Sequence, residues 1–102
     1  MEESKRQKQV AALLNEELSD IFRRLGLNVI HNGMISIASV KVTPDLLEAR
    51  IYLSFFQLPD TQAMLKKVQE SSWEIKTELA LRVGTQLRRM PILTYYIDDT
   101  LD

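Results

Sequence analysis

The stretch Met34-Ile-Ser-Ile-Ala-Ser-Val-Lys-Val-Thr-Pro-Asp-Leu-Leu-Glu-Ala-Arg-Ile-Tyr-Leu-Ser-Phe55 decides the fold. Met34 to Val42 is rich in β-branched residues and reads as a strand. Its alternation slips: Ile35 and Ile37 fall on one face, Val40 and Val42 on the other. A bulge near Ala38 or Ser39 brings the two phases onto the same side. Thr43-Pro44-Asp45 supplies a turn, with Pro44 preset for its second position. From about Leu47 to Phe55 the alternation is clean, with Ala49, Ile51, Leu53 and Phe55 inward and Arg50, Tyr52 and Ser54 outward. The stretch is therefore an antiparallel hairpin with one face covered by helices.

Upstream, Ser4 followed by Gln7 fits a capping box. Val10, Leu14, Leu18, Ile21, Phe22 and Leu25 then recur at helical spacing, predicting a helix from about Ser4 to Leu25 that Gly26 closes. Arg23 and Arg24 suit the negative end of its dipole, whereas Lys5, Arg6 and Lys8 sit at the positive end, which disfavours cations. Those three point to a partner, or else to a solvated helix start. His31-Asn32-Gly33 reads as a turn, and a lone loop histidine with no second ligand reads as solvent-facing rather than metal-binding.

Downstream, Asp60 in Pro59-Asp60-Thr61 is a helix cap. Met64, Leu65 and Val68 give that helix its apolar side, with Lys66 and Lys67 solvated. Ser71-Ser72 predicts a break, because serine competes for backbone hydrogen bonds inside a helix. Ile75, Leu79, Val83 and Leu87 then form one stripe, predicting a long helix that Pro91 stops at Met90. Arg82, Arg88 and Arg89 project away from the stripe. Leu93, Tyr95 and Ile97 alternate with Thr94 and Tyr96 in a last strand, and the closing aspartates read as a solvated acidic tail. The order αββααβ is an α+β fold, three strands packed against three helices.

With 102 residues the chain is expected to form one domain, 1–102. Apolar residues at 45% and charged ones at 26% are ordinary values for a soluble protein. No apolar run approaches a membrane span of about 20 residues, and no secretory segment opens the chain. Without cysteine there is no disulfide, thiolate nucleophile or cysteine zinc site. The expectation is a cytoplasmic protein. Thirteen Lys and Arg against fourteen Asp and Glu give a net charge of −1, so nucleic-acid binding would require the cations to segregate locally.

The variant KH domain in which a hairpin follows the first helix has this element order. The resemblance sharpens at Arg6-Gln7-Lys8-Gln9-Val10, Ile35 through Leu46, Ala49-Arg50-Ile51-Tyr52-Leu53-Ser54, Ile75-Lys76-Thr77-Glu78-Leu79, Leu87 through Leu93 and Ile97-Asp98-Asp99. Together these resemble the ribosome-binding factor A family along essentially the whole chain. The resemblance implies a non-enzymatic assembly factor that binds the immature small ribosomal subunit, contacts its rRNA around the neck and assists late rRNA processing, including growth in the cold. That family lacks the Gly-x-x-Gly loop of ordinary KH domains, as does this chain. It carries instead an Ala-x-Gly interhelical kink, which corresponds here to Ser71-Ser72-Trp73. Trp73 stands where glycine would permit close backbone approach. Many members of that family also carry a further tail beyond the last strand.

RNA binding needs cations for phosphates and planar groups for unpaired bases. The candidates are Lys5, Arg6 and Lys8 on the first helix, Lys41 on the hairpin, and Lys76, Arg82, Arg88 and Arg89 on the long helix. Trp73 reads first as a core or edge-packing residue. Catalysis has little to work with: no Cys, one loop His and no Gly-rich phosphate cradle. No metal, cofactor or small-molecule substrate is expected, and the protein is expected to be a monomer. The alternative is a protein-interaction module that uses its sheet edge or an apolar face.

Overall fold

Helix α1, Lys5–Arg24, starts with the capping box its sequence announces: the Gln7 amide donates to Ser4 Oγ at 3.1 Å and the Ser4 amide to Gln7 Oε1 at 2.7 Å. It ends in a Schellman turn, with the Leu27 amide donating to the Phe22 carbonyl (2.8 Å) and the Gly26 amide to that of Arg23 (3.2 Å). Gly26 takes φ 73°, where a side chain would be strained, and so ends the helix where expected. The computed structural model describes residues 3–30, 33–56 and 60–98. The turn at His31-Asn32, Pro59 and the aspartates beyond Asp98 lie outside them.

The three expected strands are present as β2 (Gly33–Val42), β3 (Glu48–Phe56) and β4 (Ile92–Ile97). A two-residue strand β1, Val29–Ile30, pairs antiparallel with the start of β2 and makes the sheet four-stranded, in the order β1-β2-β3-β4. The hairpin β2–β3 carries its bulge at the expected place: Ile37 pairs with Leu53 and Ser39 with Tyr52, leaving Ala38 over. That extra residue lets Ile35, Val40 and Val42 all be buried on one side despite their mismatched phase. Strand β4 lies parallel to β3, from Glu48 opposite Ile92 to Leu53 opposite Ile97. A parallel neighbour needs a long crossover, and α2 (Thr61–Glu70) and α3 (Ser72–Val83) supply it.

All three helices cover one face of the sheet. Leu14, Leu18, Ile21 and Phe22 of α1 and Ile75, Leu79 and Val83 of α3 are buried with Ala49, Ile51 and Leu53 of β3. The opposite face is open, exposing Lys41, Arg50, Ser54 and Phe56. There Tyr52 and Tyr96 stack at 5.4 Å between ring centroids.

One expectation is corrected. The long helix does not run to Met90; α3 ends at Val83. At Gly84 a Cβ would stand 2.6 Å from the Ala80 carbonyl oxygen, an approach only glycine permits. The amides of Gln86 and Leu87 then both donate to the Val83 carbonyl, at 2.9 and 3.0 Å. This turn returns Leu87 to the core, so the apolar stripe continues although the helix does not.

Candidate nucleic-acid interface

The first turn of α1 carries Lys5, Arg6 and Lys8 and no acidic residue, so side-chain charge and helix dipole reinforce one positive field. All three side chains are exposed. Between them Gln7 is buried, and its Nε2 donates to the Val42 carbonyl at 2.8 Å. This bond fastens the start of α1 to the end of β2 beside the β2–β3 turn. Nothing in the local pattern announces it, because the partner is 35 positions away.

At that turn Asp45 Oδ1 accepts from Thr43 Oγ1 (2.7 Å) and the Leu47 amide (3.0 Å), and these bonds hold the Asp45 carboxyl below the ordinary carboxylate range. The next residue, Leu46, sits at φ 62°. A bulky side chain in the left-handed region costs about 1–2 kcal/mol, and packing of Leu46 against the core opposes that cost. The turn, the start of α1 and the segment after α3 enclose a cleft of about 360 Å3 lined by Arg6, Arg88, Arg89, Asp45, Leu47 and Pro91, among others. Arg88 and Arg89 are thus carried not by a helix but by the segment between Leu87 and β4, and it brings them to Arg6. Lys41 is nearby on the open sheet face, directly opposite Arg50 in the hairpin. Two cations face each other there, an arrangement unfavourable in itself; Glu48, at 3.0 Å from Arg50, relieves it.

Arg82 is placed differently from the other candidate cations. Its side chain is 18% exposed, and it binds Asp20 (2.6 Å), Glu17 (3.2 Å) and Glu78 (3.6 Å). Arg23 completes the network on Asp20 and Arg24 on Glu78. Three guanidiniums and three carboxylates cancel, and they join α1 to α3. Arg82 is thus engaged as a clamp between α1 and α3 and is not presented as an open cation. Part of this was readable, since Glu78 and Arg82 stand four apart on one helix.

The network has a pH signature. The bond from Arg82, and then that from Arg23, holds the Asp20 carboxyl below its ordinary value. A carboxyl depressed by folding contributes stability that is present above its unfolded value and lost as pH falls through the folded one. In Arg82→Leu the larger cause is gone. Thermal unfolding followed against pH should show wild type well above the variant at neutral pH, with the gap narrowing as pH drops below about 4.

Of the thirteen lysines and arginines, Arg23, Arg24, Arg50 and Arg82 are in ion pairs; among the described residues the others are not. Lys5, Arg6, Lys8, Lys41, Arg88 and Arg89 gather at one end, while the neutral network holds the C-terminal half of α1. Lys66, Lys67 and Lys76 are not brought to them: the first two are exposed on α2, and Lys76 lies on the outer side of α3 with Trp73, Thr77, Ala80 and Leu81. The interhelical break stands where expected, at Ser71 between α2 and α3. Ser72 and Trp73 are the first two residues of α3, and Trp73 packs against no core: it is 74% exposed.

Residues 6–102 match the family described as Ribosome-binding factor A. The chain is 39% identical over 103 residues to ribosome-binding factor A of Christiangramia forsetii, covering 100% of this chain and 79% of that one. To its counterpart in Flavobacterium psychrophilum it is 40% identical over 101 residues, covering 98% and 78%. The crystal structure of ribosome-binding factor A from Thermus thermophilus has the same fold, with a TM-score of 0.73 at 18% identity over 89% of this chain and 94% of that one. A homology model of the Thermus thermophilus protein, fitted into the cryo-EM map of its 30S complex, gives 0.66 at 20% identity over 84% and 88%. A family match over residues 6–102, with identity of this order to relatives that span 98% and 100% of the chain, leaves one conclusion: the chain belongs to the ribosome-binding factor A family.

Proposed function

We propose that this protein is a non-enzymatic assembly factor that binds the immature small ribosomal subunit through its rRNA and assists late rRNA processing. It acts in the cytoplasm as a monomer of one domain, without cofactor. The observation that carries this reading is the sorting of charge. A molecule of net charge −1 neutralises Arg23, Arg24 and Arg82 at one end of α1 and leaves Lys5, Arg6, Lys8, Lys41, Arg88 and Arg89 unpaired at the other. Family membership and the small-subunit complex of the Thermus thermophilus relative support the same direction. These cations neutralise phosphates of a folded rRNA junction. Lys76 and the exposed ring of Trp73 form a separate contact at the kink, where the indole can stack on an unpaired base.

The measurement is binding to purified small subunits as salt is raised. Six phosphate contacts predict a loss of roughly a thousandfold in affinity between about 50 and 200 mM salt. Trp73 and Leu81, 74% and 78% exposed on α3, favour a second reading, a protein-docking face. Binding through that face would barely respond to salt.

A further inference from the structure

The cleft at the basic end has more chemistry than phosphate neutralisation uses. Arg6, Arg88 and Arg89 line it, yet Leu46, Leu47 and Pro91 line it too, and Asp45 adds a carboxylate. An apolar lining gives a bare phosphate nothing, and a carboxylate repels it. Asp45 commits Oδ1 to the turn and leaves Oδ2 without a hydrogen-bond partner among the described residues. Leu47 is 41% exposed, a large apolar side chain offered to solvent at the same place. The backbone beneath is held in a strained conformation at Leu46, so the lining is fixed in advance. About 360 Å3 is within the range of sites that enclose a small ligand and is too little for a duplex.

We propose that this cleft takes one unpaired nucleotide, its phosphate among the three guanidiniums, its base against Leu46, Leu47 and Pro91, and an exocyclic amino group donating to Asp45. The base must be unpaired because pairing occupies that edge and stacking covers the ring. A carboxylate accepts from the amino group of cytosine, adenine or guanine, whereas uracil has no amino group and offers only N3–H between two carbonyls, so uracil is disfavoured. This inference rests on the rRNA-binding reading and gives that surface a chemical preference.

The test uses the full chain and single-stranded RNA hexamers of cytidine, adenosine or uridine, with an RNA duplex as reference, read by amide shifts and titration. Cytidine and adenosine hexamers should bind above uridine and shift the amides of Leu46, Leu47 and Leu87. Leu47→Ser, a surface change, should weaken the preferred hexamers at least about fivefold and leave the duplex unaffected. Asp45→Asn keeps an oxygen for the turn but places an amide nitrogen at the other position, and should shift the cytidine-to-uridine ratio about tenfold toward uridine. Equal binding of all hexamers, or no change in either variant, overturns the proposal. If small-subunit binding then keeps its salt dependence, rRNA binding stands without the nucleotide site; if that dependence is also absent, both fall. Weaker subunit binding by Leu47→Ser with unchanged hexamer binding would mean that the cleft holds a protein segment, and would equally overturn it.

Discussion

Arg6, Arg88 and Arg89 changed together to glutamate should abolish co-sedimentation with small ribosomal subunits while the protein stays folded. All three are exposed, and none takes part in an ion pair or side-chain hydrogen bond among the described residues. Their removal therefore breaks nothing within the fold. Glutamate at position 6 even suits the positive end of the α1 dipole. On the binding side, three phosphate contacts disappear and three repulsions replace them, a loss of at least about a hundredfold at moderate salt. The triple alanine variant should reduce the salt slope by about one per residue. Circular dichroism and the melting temperature supply the control. Wild-type affinity in the folded triple variant would remove this end of the molecule from the interface. Arg82 must be left out of the set, because reversing it would set a fourth carboxylate among Glu17, Asp20 and Glu78 and unfold the clamp rather than report on RNA.

Gln7→Leu should lower stability by about 2–3 kcal/mol, the cost of stranding a buried acceptor together with a weakened cap. The side chain has two tasks: Oε1 receives the Ser4 amide and Nε2 reaches the Val42 carbonyl at 2.8 Å. Water can replace it at Ser4, which is exposed, but not at Val42, which is 3% exposed. For a domain of this size the melting temperature should drop by roughly 10–20 °C. Gln7→Glu makes a sharper comparison. It retains the acceptor for Ser4 but points an oxygen at the Val42 carbonyl, and so should be no better than leucine. Full stability in Gln7→Glu would show that the bond to β2 contributes nothing. Because Gln7 lies between Arg6 and Lys8, its loss should also loosen the basic end and weaken subunit binding at temperatures where the variant is still folded.

Much of this fold is legible in the sequence where the signal is local. The capping box, the glycine at position 26, the bulge near Ala38, the Asp60 cap and the break at Ser71 each depend on residues within a few positions. The end of α3 is not legible from periodicity, because the turn after Gly84 preserves the burial of Leu87 and mimics one more helical turn. The site is less legible still. Arg82 is paired with residues 62 and 65 positions away, which removes it from the surface cations. The cleft draws on three segments that only the sheet and α1 bring together, so the union of Arg6 with Arg88 and Arg89 has no linear trace. Trp73 shows the limit of residue type: its exposure follows from the outer side of α3, not from being an indole.

The parallel pairing of β4 with β3 has a consequence for synthesis. About 35 residues separate the end of β3 from the start of β4, roughly two to seven seconds of translation. Through that interval β3 has been made but its second neighbour has not, and the nascent chain presents a bare strand flank that α2 and α3 cannot seal. Completion of this fold is thus a late event, set by the last strand to emerge. Weakening β4 would be felt as insoluble nascent product before it was felt as poor binding.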